Sequence, residues 1–255
     1  MNIRNKNKKS VIHTKRSMIS ILFVLLIILI ILNLTNKTLV SAVPQGATIT
    51  YANTQNASVS QADSHIAAGG SFTTLVLNVT AQTSKWKAYV GNVTGKLALA
   101  NTNGFAIYDW TLTTVQGEVY VSRNDSVDFS SLACANEGNI SAEENFLNIN
   151  STADDSISNT FNQNIHKSFV IGGTGTIENS TCYAIATYVN NTAQPADEDA
   201  TFQEVLLSDG KNIVFTTILE DSQQGFDLGN YDFQLIVPDD PGDTSITYYF
   251  YAELG

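Results

Sequence analysis

The chain has 255 residues, 43% of them hydrophobic, enough to build a sizeable core in one large domain or two small ones. Its formal charge of −11 is unevenly split: seven of the 13 Lys and Arg stand in the first 42 residues without any Asp or Glu, and the remainder carries six basic against 24 acidic side chains, a net of −18. So acidic a body repels nucleic acid and anionic membrane surfaces, which argues against both as its partners and leaves cation binding, high-salt surroundings or plain solubility as readings of the charge.

Residues 1–17 are a basic, polar run, followed by an apolar stretch from Met18 to Leu34 that only Ser20 and Asn33 interrupt. Six basic residues precede the stretch and Lys37 follows it, so the positive-inside rule leaves the body outside the membrane. Its length falls between a signal-peptide core and a full span of roughly 20 residues. Val40-Ser41-Ala42 resembles a small-residue cleavage site, after which Val43-Pro44 would open the mature chain. The expectation is a signal peptide or signal-anchor helix over residues 1–42 and an extracellular domain over 43–255; if uncleaved, the helix makes the membrane a partner. Lys15-Arg16-Ser17 also resembles an archaeal pilin leader, cut so that Met18 opens the mature protein, although the early acidic residue that many pilins carry in that helix is missing.

The body reads as strands separated by turn signals: Ala47–Tyr51, Phe72–Ala81, Trp86–Val93, Lys96–Ala100, Phe105–Leu112, Glu118–Ser122, Ser168–Ile171, Cys182–Val189, Phe202–Leu207, Ile213–Leu219, Phe233–Val237 and Ile246–Leu254. Asn103-Gly104 and Asp209-Gly210, each between apolar runs, supply the positive φ angles of tight hairpins. In the last strand Ile246, Tyr248, Phe250, Ala252 and Leu254 share one face, which predicts a core position for Tyr248, Phe250 and Leu254. Phe233, Leu235 and Val237 alternate likewise, and the turn-forming run between the two predicts an antiparallel hairpin. Residues 135–167 break the pattern. Ser141-Ala142-Glu143-Glu144 resembles a capping box, and Ile157, Phe161 and Ile165 recur every four residues, so two short helices are expected there. The fold class that follows is mainly β: an immunoglobulin-like antiparallel β-sandwich with a short helical insertion, preceded by an N-terminal hydrophobic helix.

The only two cysteines, Cys134 and Cys182, follow the export signal and are most simply a disulfide that pins the insertion to the sandwich. Asn-x-Ser/Thr occurs at Asn56, Asn78, Asn92, Asn124, Asn139, Asn150, Asn179 and Asn190, the candidate glycosylation sites of an exported chain.

Several runs, among them WKAYVGNVTGKLALANTNGFAIYDW, GEVYVSRN, HKSF, FQEVLL, YDFQLIV and TYYFYAEL, together resemble a family of uncharacterised exported, β-rich surface proteins from archaea with small genomes. The resemblance covers the body from about Trp86 to Leu254. It implies an archaeal cell-surface setting and assigns no functional residues.

Catalytic motifs are not apparent. There is no Gly-x-Ser-x-Gly elbow, and His65 and His166 lack a second histidine at metal spacing, so each reads as a loop or packing residue. Ile171-Gly172-Gly173-Thr174-Gly175-Thr176 lacks the Lys-Ser/Thr of a phosphate loop and reads as a flexible turn. Acidic clusters stand at Asp197, Glu198, Asp199, at Asp221, Asp227, Asp232, and at Asp239, Asp240, Asp243; the last is the candidate for a weak Ca²⁺ site, and no other metal or cofactor is expected. Trp86, Tyr89, Tyr108 and Trp110 fall in strands and read as core or cross-strand pairs rather than sugar platforms. The reading is an exported structural or adhesive surface protein whose partners are other surface proteins or glycans. A pilin-like filament subunit and a secreted carbohydrate-active enzyme or binding module are the alternatives, and no catalytic residue is assigned.

Overall fold

The protein's structure is a computed structural model that describes residues 43–56, 61–240, 242 and 245–255. The helix read over residues 1–42 lies outside the described residues. Among the described residues no helix is long and apolar enough to cross a membrane.

The chain is mainly β, with antiparallel sheets and two helices among the described residues, an arrangement that fits a β-sandwich. The strands in chain order are β1 (Gln45–Gly46), β2 (Trp86–Gly91), β3 (Lys96–Ala100), β4 (Ala106–Thr111), β5 (Gly117–Ser122), β6 (Ala133–Cys134), β7 (Phe169–Ile171), β8 (Gly175–Ile177), β9 (Ala184–Ala186), β10 (Gln203–Ser208), β11 (Ile213–Ile218), β12 (Gln223–Gln224), β13 (Asn230–Tyr231), β14 (Phe233–Pro238) and β15 (Tyr249–Leu254). Helices α1 (Glu137–Phe146) and α2 (Ile157–Thr160) fall between β6 and β7.

A seven-stranded sheet forms the centre, in the order β1-β15-β5-β11-β10-β6, with β9 also on β10. β6 and β9 share one edge of β10: Cys134 lies opposite Leu207, and Ala184 opposite Val205. The sheet is covered on both sides, because alternate residues of one strand enter different cores. Val119, Val121, Leu206, Ile213 and Phe215 join one cluster with Ile140, Leu147, Ile157 and Phe161 of the helical region and Leu235 and Val237 of β14. Tyr120, Val205, Leu207 and Val214 join another with Leu132, Phe169 and Ile171. This double coverage is why every residue of β10 and β11 is buried, where a one-sided sandwich strand would alternate.

Both Gly-marked hairpins form as expected. Asn101 Oδ1 accepts from the amides of Asn103 and Phe105 at 3.0 Å each, and Gly104 has φ 82°. Asp209 Oδ1 accepts from Lys211 and Asn212, and Gly210 has φ 84°. The glycine-rich turn at residues 171–176 is instead the tip of a third hairpin, β7–β8.

The hairpin expected between Phe233–Val237 and Ile246–Leu254 does not exist. β14 pairs with β2, from Phe233 opposite Gly91 to Pro238 opposite Trp86, whereas β15 pairs with β5, from Tyr249 opposite Ser122 to Leu254 opposite Gly117. Adjacent turn-linked strands thus part to different sheets, because β2 and β5 offer long, well-matched edges. The face assignment nevertheless holds: Tyr248 is buried, and Phe250 and Leu254 pack half-buried on the first cluster. Two other expected strands, Ala47–Tyr51 and Phe72–Ala81, are absent; their residues are exposed.

Helix α1 starts earlier than the Ser141 signal implies. Asn136 is its N-cap: Asn136 Oδ1 accepts from Asn139 N and Asn139 Oδ1 accepts from Asn136 N, a reciprocal box of amides that leaves Ser141 inside the helix. Helix α2 is a single turn capped by Ser156, with Ile157 and Phe161 buried and Ile165 beyond its end.

Candidate functional site

The disulfide forms between Cys134 and Cys182, with Cα atoms 4.9 Å apart. It sits where β6 leaves the β10 edge and the chain returns to it for β9, so it closes the excursion that carries both helices. Beside it opens a groove of about 680 Å³ lined by Asn136, Asn162, Gln163, Asn164, Thr181 and Tyr183 among others. Most of these polar groups already serve the fold: Asn136 caps α1, Asn162 Nδ2 donates to Asn159 O at 2.8 Å, and Asn164 Nδ2 donates to Ser180 O at 3.2 Å. Gln163 and Tyr183 have no side-chain hydrogen-bond partner among the described residues.

His166 is a packing residue. Its Nε2 accepts from the amides of Thr181 and Cys182 at 3.1 and 3.0 Å, and its Nδ1 lies 2.8 Å from Lys167 O. Two donors on Nε2 and an acceptor at Nδ1 select the neutral tautomer with the proton on Nδ1.

The acidic clusters are also drawn into local structure. Asp239 Oδ1 accepts from the amides of Asp240 and Ile246, and its Oδ2 lies 3.0 Å from Lys87 Nζ, which ties this loop to β2. Asp240 Oδ1 accepts from Gly242 N, and Asp243 lies outside the described residues. Asp232 receives the amides of Val93 and Ser222, Asp227 the Tyr231 hydroxyl, and Glu198 the Asn179 amide and the Ser180 hydroxyl. Among the described residues no group of three or more His, Cys, Asp or Glu could hold a metal. Of the sequons, Asn56, Asn78, Asn92, Asn150, Asn179 and Asn190 are exposed, while Asn124 and Asn139 are half-buried.

Three buried glutamates escaped the reading of the sequence. Glu118 and Glu253 face each other across the β5–β15 pair on the side of the second cluster. Tyr120 Oη donates to Glu253 Oε2 at 2.9 Å, and Gly172 N at the β7–β8 turn reaches both Glu253 oxygens at 2.8 and 3.0 Å. Burial first, and then the Glu253 charge, hold the Glu118 carboxyl well above the ordinary carboxylate range. Glu204 on β10 is fully buried; its Oε2 accepts from Ile236 N of β14 at 2.9 Å, Oε1 has no partner, and burial pushes its pKa well up. The available signal was a Glu opening an apolar run, in GEVYVS and QEVLLS, in strands whose two faces are both covered.

Glu118 and Glu204 give the fold a pH dependence of definite sign. A carboxyl whose folded pKa is raised is stabilising in its protonated form, and that stability is lost as pH rises from the unfolded pKa through the folded one. The melting temperature is therefore expected to rise as pH falls from 7 toward 5. Below about pH 4 the trend reverses, because Asp128, Asp155, Glu198 and Asp209 have depressed values and lose stabilisation as they protonate. Glu204→Gln should flatten the profile between pH 5 and 7, because it removes a carboxyl that burial keeps protonated. Calorimetric melts across that range check this; a Glu204→Gln slope equal to the parent's would refute it.

No protein-family model, no curated protein and no solved structure matches the chain.

Proposed function

We propose that this is an exported cell-surface protein with a structural or adhesive role, its body an immunoglobulin-like sandwich standing outside the cytoplasmic membrane. The observation that carries the proposal is the Cys134–Cys182 disulfide, a bond that persists in oxidising compartments, in a chain whose first residues pair a basic run with an apolar one. The structural role is supported by how the buried carboxylates are used. Glu143 receives both Nε and Nη2 of Arg123 at 2.6 and 2.7 Å, Glu144 the Ser158 amide and hydroxyl, and Asp232 and Glu253 backbone amides. Each is engaged in holding elements together.

A test is N-terminal sequencing of the protein recovered from its host, with protease treatment of intact cells. A mature start at Val43 marks a secreted form, Met1 an anchored one and Met18 a pilin-like subunit. Protection from external protease together with two free thiols would overturn the surface assignment. A carbohydrate-binding role is the second reading, favoured by the amide-lined groove with its unengaged Gln163 and Tyr183.

A further inference from the structure

We propose that the segment 71–82 of one copy adds as a strand to the β3–β4 hairpin of a second copy of this chain. Three observations carry this. First, the segment is built as a strand and has no strand partner among the described residues. Leu75, Leu77, Val79 and Ala81 form a continuous period-two apolar face, with Phe72, Thr74, Val76, Asn78 and Thr80 opposite. Yet Phe72 is 96% exposed, Val76 94% and Leu77 83%. Among the described residues, the chain between Ala47, whose N donates to Phe250 O at 2.9 Å, and Thr83, whose Oγ1 donates to Asp155 Oδ2 at 2.7 Å, makes only local hydrogen bonds. Four residues separate Ala81 from Trp86, enough for a hairpin with β2, the nearest partner in its own chain, and that hairpin is not formed.

Second, among the described residues the β3–β4 hairpin is an isolated two-stranded ribbon with no strand on either outer edge. Leu97 pairs with Trp110 and Leu99 with Tyr108, and the Tyr108 and Trp110 rings meet edge to face at 5.0 Å. This ladder and the other side's Ile107 stand in solvent, with Ile107 82% and Trp110 50% exposed. Two strands alone are marginal in water, and a third with an apolar face is the usual remedy.

Third, charge identifies the partner. Bodies of net charge −18 repel one another and can meet only where that charge is absent. No Asp, Glu, Lys or Arg lies between Asp63 and Lys85, and the hairpin's Lys96 and Asp109 neutralise each other at 2.5 Å. The candidate glycosylation site Asn78 falls on the opposite face of the added strand, which it shares with Phe72 and Val76. The inference is independent of the compartment: an intracellular location would leave it standing, and failure of assembly would leave the surface assignment standing.

The test uses the full chain in mild detergent, with size measured by sedimentation over a range of concentrations. Multimers are expected, closed or open-ended. Leu77→Lys should weaken association by roughly tenfold or more while leaving the melting transition unchanged, since the segment lies outside the core. Mixing a Leu77→Cys protein with a Tyr108→Cys protein, whose altered positions share the ladder face, should give an oxidised species of twice the mass, and a peptide of residues 71–82 should suppress it. A monomer at all concentrations, multimers that survive Leu77→Lys, or a double-cysteine chain that cross-links only within itself when dilute would each overturn the proposal.

Discussion

Removing residues 249–255 is expected to leave a chain that does not fold. β15 lies inside the central sheet, between β1 and β5, and pairs with the whole of β5. Its loss turns β5, buried along almost its entire length, into a bare edge. Phe250 leaves the edge-to-face contact with Tyr89 at 5.1 Å, and Leu254 no longer covers Gly95. With Glu253 gone, the Tyr120 hydroxyl and the Gly172 amide lose their acceptor inside the second cluster, at about 1–3 kcal/mol for each buried unsatisfied group. Added to the lost ladder and apolar cover, this exceeds a typical stability of about 5–15 kcal/mol. Circular dichroism of the truncated chain should show no cooperative melt. A melt like the parent's would mean that β15 is an accessory strand.

Reducing the disulfide is expected to lower stability by about 4 kcal/mol, the loop-closure estimate for a crosslink of this span. The bond joins residues 48 apart, and the loop contributes Ile140, Leu147, Ile149, Ile157 and Phe161 to the first cluster. These buried contacts remain after reduction, so the reduced protein should still fold, with a lower denaturant midpoint and a somewhat steeper slope, because the unfolded chain without its crosslink exposes more surface. Denaturant titrations with and without reductant give the number, and Cys134→Ala with Cys182→Ala reproduces it without reductant. Equal midpoints would show that packing alone holds the helical region.

What could be read from the sequence was local. The Asn-Gly and Asp-Gly turns specify β3–β4 and β10–β11 because turn chemistry acts over four residues. The cysteine pairing followed from there being only two. Strand partners could not be read in the same way: nothing within Phe233–Val237 or Ile246–Leu254 says that one pairs with Trp86–Gly91 and the other with Gly117–Ser122. The start of α1 was misplaced because Ser141 and Glu144 have the spacing of a capping box, while the cap used is a pair of asparagines. Glu118, Glu204 and Glu253 were passed over because a Glu in a strand ordinarily marks the solvent face, and that inference fails in a sheet with two covered faces. The Asp239 cluster was legible as acidic, but Lys87, distant in sequence, decides how it is used.

The topology also bears on how fast the fold can be reached. Tyr120 and the Glu253 carboxylate that it meets are 133 residues apart, and β14 must return to β2 across most of the body. The β5–β15 and β1–β15 ladders cannot close before the final strand is available, so long loops must be ordered before those contacts stabilise the sheet. Such non-local architectures fold on the slow side, in milliseconds to seconds. Throughout that interval the strand-like tract at residues 71–82 and the unfinished edges of β5 and β11 coexist in one chain, so crowding during refolding favours pairing between chains and dilution favours the monomeric fold.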